Sequence, residues 1–153
     1  MLRFPSMDEG PRFFTVEEAN ALVSSLEIEF GRIAQVRSEL GPLIQALGGP
    51  DDAVAALQDG APLPEGLEVE AEQLRRLAAE ITGAVERVNA FGCLVKDVEM
   101  GLVDFYTLVD GEPAFLCWQF GERMISHWHP LDEGFAARQA IDGAEVPPPA
   151  FLN

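Results

Sequence analysis

The first half of the chain carries apolar residues at helical spacing, in two long stretches separated by a loop. Thr15 and Glu18 open the first stretch with the Thr-x-x-Glu pattern of a capping box. Gly41-Pro42 predicts a kink or a restart of this helix, and Gly48-Gly49-Pro50 predicts its end. The apolar positions share one helical face and are Leu22, Leu26, Phe30, Ile33, Leu40, Ile44 and Leu47.

Residues 51–66 predict one or two helical turns followed by a loop that contains glycine and proline. A second amphipathic stretch then runs from Leu67 to Phe91. Gly92 predicts its end. Helices of this size are roughly 35 to 50 Å long and bury their apolar faces only by packing against each other or against a partner. The two stretches therefore predict a long antiparallel helical hairpin, and they leave open a homodimer formed through the helices.

After Gly92 the apolar residues become β-branched and aromatic, in short runs divided by turn residues. Asp110-Gly111 is a strong signal for a two-residue hairpin turn, and Gly121-Glu122 is a weaker one. The fold class predicted is α+β, with a long antiparallel helical hairpin followed by a small antiparallel β-meander packed on it. The predicted strands lie at 94–95, 102–108, 114–119 and 124–129.

We assign all 153 residues to a single domain, because a chain of this length can bury one hydrophobic core. Its predicted segments are an irregular leader at 1–12, the helical hairpin at 13–92, the β-meander at 93–141 and an extended tail at 142–153.

The two turn signals also predict a strand register. In this register Leu116 lies opposite Phe105 on one side and opposite His127 on the other, and Cys117 points away from both histidines. A single β-bulge would instead move Asp104 and Cys117 to the histidine face. Both arrangements stay open at this point.

Residues 126–135 concentrate more candidate chemistry than any other segment, because both histidines and two adjacent carboxylates lie there. His127 and His129 are two positions apart on a predicted strand, so they project to the same side with Cα atoms about 6.6 Å apart. Together with Asp132 and Glu133 they form a candidate site for zinc, iron or manganese. The alternative is that the imidazoles only hydrogen-bond to backbone carbonyls.

Two further residues of the strand region need an explanation. Asp104 lies among apolar neighbours, and an unpaired buried carboxylate is costly, so we expect it to pair with Arg123, with Arg138 or with backbone amides. Cys117 lies between large apolar residues and is expected to be an inert buried thiol.

Composition narrows the classes of partner. The 26 acidic and 10 basic residues give a net charge of -16, which repels nucleic acid and anionic membranes. Two cysteines without Cys-x-x-Cys spacing predict reduced thiols, and no apolar run approaches the roughly 18 residues of a membrane span. The chain also has no Gly-x-Ser-x-Gly elbow and no glycine-rich phosphate loop. We predict a cytoplasmic protein whose partners are neither nucleic acids nor membranes.

Several short motifs are each weak alone but together are characteristic of one protein family. They are 14–20, Lys96-Asp97, 101–105, 116–118, Gly121-Glu122, Trp128-His129, 132–135 and Arg138. Over roughly residues 13–141 the chain resembles an uncharacterised prokaryotic family, catalogued as domain of unknown function twenty-two-zero-three. The resemblance implies a small stand-alone protein with a helical front half and a strand-rich back half, and it implies no established activity. Recurring polar or aromatic positions of the family are matched here by Asp104, Trp118, Glu122, His129, Glu133 and Arg138. We predict a ligand pocket formed by Asp104, Trp118, Glu122, His129 and Arg138.

No motif fixes a reaction, so three functional hypotheses remain. The leading one is a non-enzymatic binding or assembly module, in which the helices associate and a polar pocket around His129 binds a small molecule. The second is a metal-dependent enzyme, a hydrolase, that uses His129 with nearby carboxylates, while Arg138 orients an anionic substrate. The third is binding of a small acid or anion by Arg138 and Arg123 without chemistry.

Overall fold

The computed structural model describes residues 11–62 and 64–141. The predictions for the leader at 1–10 and for the tail at 142–153 lie outside these residues. The chain divides into two compact units. One unit combines the chain up to Glu27 with the chain from Val88 onward, and the other is Ile28–Arg87.

Helices form where the apolar periodicity predicted them. The capping box is confirmed, because Thr15 Oγ1 accepts from the amide of Glu18 and Glu18 Oε1 accepts from the amide of Thr15. Of the two alternatives predicted at Gly41-Pro42, a kink or a restart, the restart does not occur, since the helix continues through both residues and the flanking leucines keep it packed. The break lies earlier, at 21–22. In the described ranges the helices are α1 (Val16–Asn20), α2 (Val23–Ala46), α3 (Pro50–Ala56) and α4 (Glu68–Ala90).

The unit Ile28–Arg87 is held together by apolar contacts between α2 and α4. Val36 and Leu43 of α2 pack with Leu77 of α4, and Leu47 packs with Leu74. Later positions of α2 thus meet earlier positions of α4, so the helices run antiparallel. None of the helices in the described part of the chain combines the length and the apolar composition needed to cross a bilayer.

The other unit contains an antiparallel sheet. The Asp110-Gly111 turn is confirmed, because both residues adopt positive φ angles of 52° and 81°, as a type I′ hairpin turn requires. The α+β class and the antiparallel meander are therefore confirmed, with a short last strand that the sequence did not predict. In order along the sheet, the strands found among the described residues are β1 (Leu94–Asp97), β2 (Leu102–Val109), β3 (Glu112–Gln119), β4 (His127–Pro130) and β5 (Gln139–Ala140).

The register between β3 and β4 differs from the prediction by one residue. His127 lies opposite Cys117, and His129 lies opposite Phe115. The cause is the connection between the two strands, which spans 120–126 rather than two residues. Because side chains alternate along a strand, this slip moves both histidines to the face of Cys117. The prediction that Cys117 points away from them is wrong.

The opposite face of the sheet forms a hydrophobic core. Phe14 packs edge to face on Phe105, with ring centroids 5.0 Å apart. The backbone of Phe14 is also tied to β2, because its amide donates to the carbonyl of Tyr106 and its carbonyl accepts from Thr107 Oγ1, both at 2.7 Å. These contacts fix the sheet on one side and leave its other face to the polar side chains. The fully buried side chains of the apolar face include Val103, Phe105, Leu116 and Trp118.

Candidate metal centre

Three side chains of different chemistry meet on the polar face of the sheet. Asp104 of β2 lies directly opposite Cys117 of β3, and the register of β4 places His129 beside them. One ligand atom from each residue lies within 4.8 Å of the other two. Asp104 is 3 %, Cys117 1 % and His129 2 % exposed. Carboxylate, thiolate and imidazole are the side-chain types that bind zinc in proteins. We call these three residues the Asp-Cys-His cluster.

The imidazole of His129 is oriented by the backbone. Its Nδ1 lies 2.9 Å from the carbonyl oxygen of Pro130. Since a carbonyl can only accept a hydrogen bond, Nδ1 carries a hydrogen and donates it. The other nitrogen, Nε2, faces Asp104 Oδ2 at 3.1 Å. Histidines that bind metals commonly donate their second ring nitrogen to a carbonyl in this way, which leaves Nε2 for the ion.

The same geometry requires a proton or a cation between Asp104 and His129. A carboxylate and an Nε2 without hydrogen are both acceptors, and two acceptors 3.1 Å apart repel each other. In the metal-free protein a hydrogen shared between Nε2 and the carboxyl group of Asp104 fills this place. The partner of Asp104 is therefore His129, and the sequence-based expectation of Arg123 or Arg138 is wrong.

The Asp-Cys-His cluster borders a cavity of about 150 Å³. This volume corresponds to about five water molecules. Two charged side chains, Lys96 and Glu133, also line the cavity. The cluster therefore faces a space in which a further ligand fits. The remaining lining residues are Leu102, Phe115, Leu131, Gly134 and Phe135.

Both cysteines are free and buried. Burial raises the pKa of Cys93 to about 12. Burial, assisted by the Asp104 carboxylate and opposed by the Arg138 guanidinium, also raises the pKa of Cys117 to about 12. Both thiols are thus protonated at neutral pH in the metal-free protein. A metal ion at Cys117 has to displace that proton, so metal binding releases a proton to solvent.

These two thiols predict a loss of stability in alkali. The reference pKa of a cysteine thiol is 9.0 and the folded value is about 12, so between these values the folded protein holds more protons than the unfolded chain. The free energy of unfolding should therefore fall as the pH rises from about 9 to 12. Urea unfolding with a chelator at pH 8.5 to 11 measures this fall.

The control for this prediction is the double variant Cys93→Ala/Cys117→Ala. It is less stable at all pH values because of the lost packing, but its stability should fall less steeply over the same pH range. All other ionisable groups are common to both proteins, so their contributions cancel in the comparison. Equal slopes in the two proteins would contradict the assignment to the thiols.

A second polar cluster adjoins the first. Arg138 Nη2 donates to Glu122 Oε2 at 2.6 Å and to His127 Nδ1 at 2.9 Å. A guanidinium only donates, so Nδ1 of His127 is an acceptor and the hydrogen of the neutral ring is on Nε2. Glu122 is held in turn by the amide of Gln119, which donates to its Oε1 at 2.7 Å. The side chains of Arg138, Glu122 and His127 thus form hydrogen bonds within this second cluster.

The structure distributes the five predicted pocket residues over these two adjoining clusters and the apolar face of the sheet. Asp104 and His129 lie together in the Asp-Cys-His cluster. Glu122 and Arg138 form the ion pair of the second cluster. Trp118 is fully buried and donates from Nε1 to the carbonyl of Glu122 at 3.0 Å. Because it follows Cys117 on β3, it projects to the opposite face of the sheet.

The predicted metal ligands are separated as well. His129 lies in the Asp-Cys-His cluster, whereas His127 belongs to the second one. Glu133 is exposed and lines the cavity, and Asp132 is exposed and does not line it. Sequence reasoning placed Cys117 behind the other candidate ligands, because the predicted register turned it away from the histidines.

Fold and site together define a small α+β protein that carries a buried carboxylate, thiol and imidazole cluster at a cavity. The chain belongs to the family described as Uncharacterized conserved protein (DUF2203), whose family model matches residues 12–141. The resemblance seen in the sequence motifs is thereby confirmed. Comparisons with curated proteins and with solved structures gave no match. The family description names no activity, so the function has to be argued from the site.

Proposed function

We propose that this protein is a zinc-dependent enzyme of the hydrolase type, with zinc bound by Asp104, Cys117 and His129. The observation that carries the proposal is the convergence of three buried ligand side chains, with one ring nitrogen of His129 already bound to a carbonyl and the other directed at Asp104. This proposal comes ahead of a binding module without a metal, because a buried carboxylate and imidazole gain from a cation between them.

The ligand types favour zinc over manganese. A thiolate is a soft ligand that suits zinc better than manganese, and the imidazole and carboxylate suit both. Zinc ligands bind at about 2.0 to 2.3 Å, so two ligand atoms on one ion are roughly 3 to 4 Å apart. The widest separation in the cluster is within 4.8 Å, and a side-chain movement of roughly 1 Å closes it.

The number of protein ligands favours a catalytic zinc. Structural zinc sites are closed by four protein ligands, whereas catalytic sites use three and leave one position to water or substrate. The cavity beside the Asp-Cys-His cluster supplies the space for that position. A zinc-bound water has a pKa of about 7 and is a nucleophile for carbonyl or phosphoryl groups. Glu133, which lines the same cavity, is the candidate to accept its proton.

The test is metal binding by untagged protein, measured by elemental mass spectrometry after purification without chelator and by competition with a zinc chelator. Wild type should hold close to one zinc per chain. Cys117→Ser and His129→Gln should each weaken zinc binding by at least about 100-fold, because loss of residues that only support a ligand already costs 10- to 100-fold.

The chain offers a matched control for each variant. It has two cysteines and two histidines, and one of each lies outside the Asp-Cys-His cluster. Cys93→Ser and His127→Gln should therefore leave zinc affinity within about threefold of wild type, well below the cost of a lost ligand. Circular dichroism of every variant checks folding. Equal zinc affinity in all four variants, or no zinc in folded wild type, would overturn the proposal.

Association through the helices stays a prediction. It is supported by apolar side chains exposed on the helical unit, among them Val54 and Val69. Light scattering at high protein concentration measures the mass directly. The cytoplasmic location also stays a prediction.

A further inference from the structure

One positively charged side chain belongs to the cavity. Lys96 is the only lysine among the 153 residues, and it lines the cavity together with the Asp-Cys-His cluster. Its ammonium group stands 4.9 Å from the ring centroid of Phe115, another lining residue. Within residues 11–62 and 64–141, Lys96 forms no ion pair. Its charge is therefore available to a molecule that enters the cavity.

The charge balance of the site gives Lys96 a specific role. Zinc bound by one carboxylate and one thiolate is formally neutral, and the whole chain carries a net charge of -16. An anion therefore finds no net attraction at the metal alone. Lys96 and Glu133 are both exposed at this cavity, so solvent weakens both charges, and Lys96 is the lining residue whose charge attracts an anion.

The size and walls of the cavity narrow the kind of anion. Leu131, Phe135 and Phe115 give it mainly apolar walls. Its volume of about 150 Å³ is that of a molecule with only a few carbon atoms. Phosphate carries more charge, and the three of its oxygens that do not face the metal need hydrogen-bond donors. A single lysine beside apolar walls does not provide enough of them. A carboxylate with a short apolar chain matches both the charged Lys96 and the apolar walls of the cavity.

We propose that the cavity binds small aliphatic carboxylic acids, with one carboxylate oxygen at the open zinc position and the other paired with Lys96. This inference rests on the proposed zinc site and names its substrate class. The apolar part of the acid lies against Leu131 and Phe135. Lys96 thus selects carboxylates over neutral molecules of the same shape.

The experiment uses protein loaded with Co²⁺ in place of zinc, because the absorption spectrum of cobalt reports metal binding and anion binding separately. A thiolate-to-cobalt charge-transfer band reports metal bound to Cys117, and the visible d–d bands change when an anion joins the metal. Butyrate should change the d–d bands in a saturable way. Butyramide, which has the same shape and no charge, should not, and inorganic phosphate should bind more weakly than butyrate.

Three variants remove one charge each. Lys96→Met should weaken butyrate binding by at least about tenfold, since a charged hydrogen bond of this kind contributes that much. Glu133→Gln should strengthen it, because a competing negative charge is lost. Arg123→Met, which removes a positive charge from an exposed residue outside the cavity lining, should leave it unchanged.

The outcomes separate this inference from the proposed function. If cobalt gives no thiolate band, the metal site fails and the inference fails with it. If the band is present but butyrate leaves the d–d bands unchanged, only the carboxylate inference is overturned. The same holds if Lys96→Met binds butyrate as wild type does, or if Arg123→Met weakens binding as much as Lys96→Met.

Discussion

Replacement of Asp104 by leucine should lower the free energy of unfolding of the metal-free protein by about 3 to 5 kcal/mol. The side chains of Asp104 and His129 are almost fully buried and face each other at 3.1 Å. Without the carboxylate, the imidazole keeps its Nδ1 hydrogen bond to the Pro130 carbonyl, but its buried Nε2 loses its partner. Breaking one side of a buried pair costs far more than the pair contributes. Urea unfolding in the presence of a chelator measures the loss.

Two companion variants separate the lost ion pair from lost packing. Asp104→Asn keeps the shape and provides an N–H donor for a neutral His129, so it should cost only about 1 to 2 kcal/mol. The double variant Asp104→Leu/His129→Leu removes both members of the pair and should be more stable than Asp104→Leu alone, because no imidazole is left buried without its carboxylate partner.

The double-mutant cycle also tests the assignment of the pair. If the effects of the two leucine substitutions simply add, Asp104 and His129 are not coupled in the folded protein, and the proton between them has to be assigned elsewhere. With zinc present, the stability difference between wild type and Asp104→Asn should become larger than in the metal-free protein, because the variant lacks the carboxylate that binds zinc.

Local signals in the sequence were sufficient for most of the fold. The hydrogen bonds of the capping box join residues three apart, Thr15 and Glu18, so the pattern can be recognised without any tertiary information. Asp110-Gly111 likewise fixes a two-residue turn through its own backbone conformation. That turn already sets Asp104 opposite Cys117, because the register of β2 and β3 follows from it.

The connection between β3 and β4 could not be predicted from such signals. Gly121-Glu122 carries turn residues, but the loop is longer because Glu122 folds back on the end of β3. Its side chain accepts from the amide of Gln119, and its carbonyl accepts from the indole of Trp118. These hydrogen bonds depend on a side chain reaching the backbone, which a dipeptide pattern does not encode.

The one-residue shift in register that results from this loop determines which side chains form the candidate site. The alternation of side chains turned His129 away from Cys117 in the predicted register and toward it in the structure. The signal for the correct site was present in the pairing of Asp104 with Cys117, since a buried carboxylate opposite a thiol calls for a third polar partner. The histidines of β4 were the nearest candidates.

Replacement of Trp118 by alanine should lower the free energy of unfolding by about 3 to 5 kcal/mol. Trp118 is fully buried opposite Val103 on the apolar face, so truncation leaves a cavity in the core. It also removes the N–H that the carbonyl of Glu122 accepts from. Trp118→Phe should cost less, because most of the volume remains and mainly the hydrogen bond is lost. Chemical denaturation followed by circular dichroism measures both variants.

The matched control is the other tryptophan, Trp128, which is only partly buried. Trp128→Ala should cost clearly less than Trp118→Ala, because less apolar area returns to water. Trp118→Phe should also leave zinc affinity close to that of wild type, since the indole lies on the face opposite Cys117 and His129. A loss of zinc affinity in folded Trp118→Phe comparable to that in His129→Gln would contradict this role and would support the predicted ligand pocket that includes Trp118.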